Sequence, residues 1–322
     1  MLDVNNHMRL PYILHFLKEP EMEKNVTGMI PKWCHFTMSI AQEAIHYRFP
    51  NVDILSQRVR ILHFFVDMIE INSAFPFQFN FSVDKDRIFL LFMLKGGIEF
   101  NTIDGNYITA VKNNHFYLSH NGPGMFKAKV TAGEHVAFVV AINVGWAKSK
   151  FKEFSNLRST TNQMFNFSQQ YNIMPHCRMD RQVHQWLREV NSTNQKTNSV
   201  VLESILRMYI TLALERYNER LTMGDGVIAY EVKRYLDKNY SDQDLAYNTL
   251  AVLFHTSEHT LRNQFRAEYH VTIHNYLTRI RLEKARYMIE EEKKSISEVF
   301  SKVGYRTENA FRYAYNKSKS RK

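Results

Sequence analysis

The stretch LAVLFHTSEHTLRNQFRAEY, Leu250 to Tyr269, raises a chemical question before a structural one. Two short helical patterns are interrupted at FHTSEH, and the second carries His259, Arg262 and Arg266. A guanidinium is a fork of donors that can hold guanine O6 and N7 together, or a pair of phosphate oxygens. Thr256 or Ser257 can cap the second helix, whose free backbone N–H groups also suit an anion. The break needs a residue that tolerates positive φ, and His255 stands there; His is among the non-glycine residues enriched in that region.

The segment has an echo about fifty residues later, EVFSKVGYRTENAFRYAY, Glu298 to Tyr315. Leu250 and Ala251 correspond to Val299 and Phe300, and His255 corresponds to Gly304. Leu261 follows His255 by six positions, and Phe311 follows Gly304 by seven. Each copy reads as a short amphipathic helix, a tight turn and a second helix with basic residues outward, which is the helix-turn-helix pattern. Thr307 is placed to cap the later second helix. Between the copies, Ile273, Tyr276, Leu277, Ile280, Ala285, Met288 and Ile289 form one apolar helical face long enough to join two subdomains. Two reading helices on one rigid helix could enter successive major-groove segments, about 34 Å apart.

The elements before this module are of another kind. From about Arg60 to Val144, short β-type runs such as RIFLLFML, NYITAV and EHVAFVVAIN alternate with the turn signals KGG, DGN, KNN, NGPG and AGE. Phe75, Phe77, Phe79 and Phe81 alternate along one run and are expected on one strand face. Many short strands at regular spacing predict a sandwich or small barrel. Phe77, Phe79, Phe92 and Tyr117 read as plain core, with the lining of a barrel pocket as the alternative. Helical patterns follow: RMDRQVHQWLREV, then Val200 to Tyr217, in which Leu202, Ile205, Tyr209, Leu212 and Ala213 make an apolar stripe. That stripe fits packing on the chain's own barrel or a dimer seam, and both readings stand open. LTMGDG, Leu221 to Gly226, is the expected boundary. Expected spans are 1–150 for a β-rich domain with an N-terminal extension, 151–223 for a helical linker and dimerisation region, and 224–322 for the helical module.

The chain has 322 residues with 42 Lys and Arg against 32 Asp and Glu, a net charge of +10. From Asp225 onward there are 18 basic and 13 acidic residues, so half of the excess sits in the last third. That favours a polyanionic partner. The two cysteines, Cys34 and Cys177, have no metal-ligand spacing and give no disulfide framework. The N-terminus lacks a basic segment and cleavage site, and the longest apolar run, Ile88 to Leu94, is too short to cross a bilayer. A cytoplasmic protein with no membrane partner is expected.

The segments LAVLFHTSEHTLRNQFRAEY, YLTRIRLEKARYMI and SISEVFSKVGYRTENAFRYAY, in this order and spacing, resemble the C-terminal DNA-binding domain of AraC/XylS-type transcription regulators. The region before them is similar to the family's cupin-like sensing barrel followed by helices. The resemblance implies an α+β chain: an N-terminal cupin-like β-barrel, a helical linker or dimerisation region, and an all-α double helix-turn-helix domain. It implies that His259, Arg262, Asn263 and Arg266 form the reading face of the first recognition helix. Glu308, Asn309, Arg312 and Tyr313 form that of the second. Arg306, Lys317, Lys319 and Arg321 are phosphate partners by charge. Arg281 to Arg286 (RLEKAR) supports the core, and Glu290 to Lys294 is a solvated helix end. Double-stranded DNA, a second copy of the chain, RNA polymerase and a small-molecule effector are the implied partners, with no cofactor. Activation is implied over repression. Three departures from the family stand out: His270 where glycine is usual, Phe300 where a small alanine is common, and no closing Gly-x-x-Pro segment.

Two rival classes remain. Cupin-like barrels can hold a catalytic metal on His and carboxylate ligands, and His115, His120, Glu134 and His135 are the candidates. They form no H-x-H pair with a following carboxylate, so no metal, catalytic or ligand residue is assigned and an enzyme is not expected. The other rival is an interaction protein whose helical module no longer binds DNA. Outward Arg and Asn in both copies speak against it.

Overall fold

A computed structural model describes residues 10–154, 165, 170–192, 198–220 and 226–319. The chain divides into two compact units, Met1–Gly224 and Asp225–Lys322. Most of the LTMGDG stretch and Arg321 lie outside the described residues.

The first unit is built on antiparallel strands. In chain order they are β1 (Ile13–His15), β2 (Met22–Asn25), β3 (Glu43–Phe49), β4 (Val52–Ile61), β5 (Phe64–Ser73), β6 (Phe77–Val83) and β7 (Arg87–Lys95). Then come β8 (Gly97–Thr102), β9 (Tyr107–Lys112), β10 (His115–Asn121), β11 (Gly124–Val130), β12 (Gly133–Ile142), the short helix α1 (Val144–Lys150), β13 (Tyr171–Ile173) and β14 (Cys177–Arg178). One sheet runs β1-β6-β11-β8-β9; the other runs β13-β10-β7-β12-β5-β4-β3-β2, with β14 also on β10. Side chains from both sheets share one core, including Phe79 and Phe126 from the smaller and Ile71, Leu91 and Val139 from the larger. The cupin-like barrel is thus two facing sheets, and the strand pairings leave its ring open.

Strand β7 explains why its sequence is a continuous apolar run rather than an alternation. Phe89, Leu91 and Met93 enter the core between the sheets. Phe92, on the other face, meets the helices α2 (Arg181–Ser192) and α3 (Ser199–Arg220) through Val183, Trp186, Ile210 and Ala213. A strand covered on both faces has no polar side to show. Phe77, Phe79 and Phe81 lie on β6 and pack on the core, as their alternation predicts, but Phe75 sits in the preceding bend and is 61% exposed. The bend begins before the strand can use it. Asp67 is wholly buried and is compensated by hydroxyls: Tyr12 and Ser56 donate to it at 2.5 and 2.7 Å, with Arg58 at 3.6 Å.

Helix α3 packs on its own unit along Leu202, Leu206, Ile210, Ala213, Leu214 and Tyr217. The Tyr217 hydroxyl donates to the Pro175 carbonyl at 2.6 Å, and its ring meets Phe116 edge-on. Of the stripe read from sequence, Leu202, Tyr209 and Ala213 face inward, Tyr209 bonding Glu189 of α2. A second row on the same helix, Val201, Ile205, Met208 and Leu212, is less covered: Val201 and Met208 are 50% and 48% exposed, and Ile205 and Leu212 are partly buried.

The second unit is all helix: α4 (Gly226–Asn239), α5 (Tyr247–Leu253), α6 (Glu258–Tyr269), α7 (Ile273–Glu290), α8 (Ile296–Val299) and α9 (Glu308–Lys319). Its apolar side chains form two cores. Leu250, Ala251, Leu261 and Phe265 gather with Val232 and Leu236 of α4 and with Ile273, Tyr276 and Leu277 of α7. Val299, Val303, Phe311 and Tyr315 gather on Leu282 and Ala285, farther along α7. One 18-residue helix, about 27 Å long at 1.5 Å per residue, therefore carries both helix pairs. Phe300 is accommodated at the margin of the second core, and His270 adopts the left-handed conformation (φ 53°) that glycine would supply. Its N–H donates to the Arg266 carbonyl at 2.9 Å, closing α6. Glu290 to Glu292 and Lys293 are exposed at the end of α7, as a solvated helix end requires.

Candidate nucleic-acid interface

The two turns are built by the same hydrogen bonds. In the first, Thr256 N–H reaches back to the Ala251 carbonyl (2.9 Å) and His255 N–H to Val252 (3.2 Å). In the second, Tyr305 N–H reaches Phe300 (3.0 Å) and Gly304 N–H reaches Ser301 (3.1 Å). This pair of bonds is the Schellman motif, which needs positive φ at its fifth residue; His255 has φ 49° and Gly304 φ 86°. The space behind the two differs. A Cβ on Gly304 would stand 2.6 Å from the Tyr240 carbonyl oxygen and 2.9 Å from the Arg281 guanidinium, whereas His255 is exposed.

Arg281 is the reason for that crowding. It donates to the carbonyls of Tyr240 (2.8 Å) and Asp242 (2.6 Å) and lies 5.7 Å from the Tyr305 ring centroid. It thereby ties the loop after α4 to the second turn. Half-burial lowers its pKa, and the Tyr305 and Asp242 charges offset part of that. Arg286, from the same RLEKAR stretch, only brackets Glu290 at 4.0 Å.

Both second helices start from a hydroxyl cap. Ser257 Oγ accepts from Thr260 N–H at 3.1 Å, and Thr307 Oγ1 accepts from Ala310 N–H at 3.3 Å. Leu261 with Phe265, and Phe311 with Tyr315, turn inward. The opposite faces follow from helical spacing. His259, Arg262, Asn263 and Arg266 are all exposed on α6, and Asn309, Arg312 and Tyr313 are exposed on α9, with Glu308 half-buried. All nine residues read from the sequence, Arg306 included, lie on or beside these two faces.

How the side chains are held differs between the copies. Arg262 rests 4.7 Å from the centroid of Tyr247, on α5, with Glu258 3.9 Å away. Arg312 instead brings Nε and Nη2 to 2.7 and 2.6 Å of one Glu308 oxygen. His259 and Asn263 bond each other at 2.9 Å. Arg306, the extra residue in the second turn, pairs with Asp244. Exposed ion pairs of this kind contribute about 0.3–0.5 kcal/mol, and a bidentate arginine–guanine contact about 1–3 kcal/mol. None of these internal pairings is strong enough to keep the arginines from a base edge. Tyr247 and Asp244 escape sequence reasoning because they lie 15 and 62 positions from the arginines they hold, on separate elements.

The metal candidates have other partners. His135 Nδ1 accepts from Gly97 N–H at 3.0 Å, His120 meets Asp86 at 2.8 Å, His115 meets the Asn113 carbonyl at 2.9 Å, and Glu134 pairs with Lys95. Among the described residues, no group of three or more His, Cys, Asp or Glu is arranged to hold a metal. Nor, among them, is any helix long and apolar enough to cross a membrane.

A family model described as a helix-turn-helix domain matches residues 250–321. The HTH-type transcriptional activator RhaS of Klebsiella pneumoniae (strain 342) is 25% identical over 157 residues, 46% of this chain and 56% of that protein. The chain thus spans about half the length of this curated relative. Among solved structures, the C-terminal domain of AraT, a response regulator from Geobacillus stearothermophilus, shares 28% identity over 29% of this chain and 77% of that one, with a TM-score of 0.28. ToxT from Vibrio cholerae, in an unsaturated fatty acid bound form, shares 11% identity over 81% of this chain and 93% of that one, with a TM-score of 0.34. Residues 250–321 of this chain thus form a helix-turn-helix domain, and the chain is similar to a helix-turn-helix transcriptional activator over about half of that protein's length.

Proposed function

We propose that this protein is a sequence-specific, DNA-binding transcription regulator of the activating kind, working in the cytoplasm. The observation that carries the reading is the repeated unit: two Schellman-turned helix pairs on one shared helix, each presenting an exposed arginine and asparagine face. His259, Arg262, Asn263 and Arg266 read one major-groove segment. Glu308, Asn309, Arg312 and Tyr313 read the next, and Arg306 steadies the second on phosphate. RNA polymerase is the downstream partner of such an activator.

The first unit senses. Between its sheets lies a cavity of about 80 Å³, lined by aromatic and aliphatic side chains such as Phe79, Phe81 and Tyr117 and by Thr109, Ser119 and Asn121 on one wall. No lining side chain is acidic or basic, so an effector seated there is small and neutral. Phe92, by contrast, faces the helices and takes no part. The dimer seam is the more exposed row Val201, Ile205, Met208 and Leu212, spaced four, three and four apart. Leu202 and Tyr209 serve the protein's own packing instead.

Selection of the full chain against random duplexes tests the reading. Enrichment of a two-part motif supports it; retention that falls with salt and shows no base preference overturns it.

A further inference from the structure

A second cleft on the first unit, about 360 Å³, lies outside the cavity just described, at one end of the larger sheet. There the end of β4, the start of β5, the start of β7 and the end of β12 come together: Ile61 and Ile142 both pair with Phe64, and Ile88 pairs with Ile142. Its walls carry Arg60, Lys85 and Arg87, with Asp86 as the one acid. That acid is engaged by the buried His120 at 2.8 Å. Arg87 uses one nitrogen on Asp84, at 2.7 Å, while its Nε is shut off from solvent with no hydrogen-bond partner. Arg60 is held with its guanidinium 5.3 Å from the Phe65 ring centroid. Phe64, Phe65 and Ala141 make the apolar part of the wall.

Three cations stand on this concave surface against one acid that His120 already engages, so the cleft is short of negative charge and attracts an anion. The aromatic and aliphatic wall beside them favours an apolar body attached to the charge. At about 360 Å³ the cleft is at the small end of ligand pockets, which fits a metabolite and excludes a peptide or nucleic acid strand. We propose that this cleft binds a small organic acid, its carboxylate held by Arg60, Lys85 and Arg87 and its apolar body against Phe64 and Phe65. The proposal is independent of DNA reading by the second unit.

The test is calorimetric titration of the full chain with three probes: 3-phenylpropanoate, its neutral amide, and inorganic phosphate. The expected result is saturable binding of the carboxylate, one per chain, with the amide and phosphate each at least tenfold weaker. Arg60→Gln with Arg87→Gln should weaken the carboxylate at least tenfold. The exposed Lys85→Gln, which leaves the fold untouched, should weaken it about threefold. Lys112→Gln, an exposed lysine that lines neither the cleft nor the cavity, should leave the affinity unchanged. Equal affinity for the amide, equal affinity for phosphate, no saturable binding, or indifference to Lys85→Gln each overturns the proposal.

Discussion

The first and second helix-turn-helix pairs close with the same two backbone bonds, yet one turns on an exposed His255 and the other on a buried Gly304. Positive φ is common to both, so φ alone does not decide which residue is required. What decides is the space behind the turn. Arg281 and the Tyr240 carbonyl occupy the place where a Cβ on Gly304 would stand, and His255 projects into solvent. The second pair has exchanged tolerance for a tie to the loop after α4. The pairs also differ in how the outward arginine is steadied: by an aromatic face from α5 in the first, and by a glutamate on its own helix in the second.

The largest effect should separate the turns. Gly304→Ala combines left-handed strain with a 2.6 Å clash on backbone, and should cost on the order of 3 kcal/mol of stability in denaturant melts. His255→Gly removes strain without filling or emptying space, and should be neutral or gain up to about 1 kcal/mol. Equal losses at both positions would break the contrast. Next come the arginines: Arg262→Ala and Arg312→Ala should each weaken a specific site by about 1–3 kcal/mol in gel-shift titrations. Ser257→Ala should cost about 1 kcal/mol of stability through the lost cap. Tyr247→Leu removes a contact worth about 0.5–1 kcal/mol and should loosen base preference only in the segment read by α6. Smallest is Glu308→Gln, about 0.3–0.5 kcal/mol of helix stability, with its binding effect confined to the segment read by α9.

Much of the second unit is legible in its sequence because its determinants are local. Cap, turn and apolar spacing lie within a dozen residues, and the repeat states them twice. The two cores on α7 follow from the apolar periodicity of Ile273 to Ile289. The first unit is less legible. β7 and β12 are covered on both faces, so the period-two signal that would tell inside from outside is erased, and Phe92 cannot be told from Phe89. Helix α3 is apolar nearly all round, so its sequence offers two stripes, and only the fold tells which one is covered. The contacts of Tyr247, Asp244 and Arg281 depend on elements brought together by folding, and no local pattern announces them.

The most direct measurement is base-by-base binding of the full chain, Arg262→Ala and Arg312→Ala to every single-base variant of its selected duplex. Each substitution should relax preference at a different segment, roughly one duplex turn apart, and leave the other segment's preference intact. Uniform weakening across all variants, or relaxation of the same positions by both, would contradict a double reading surface.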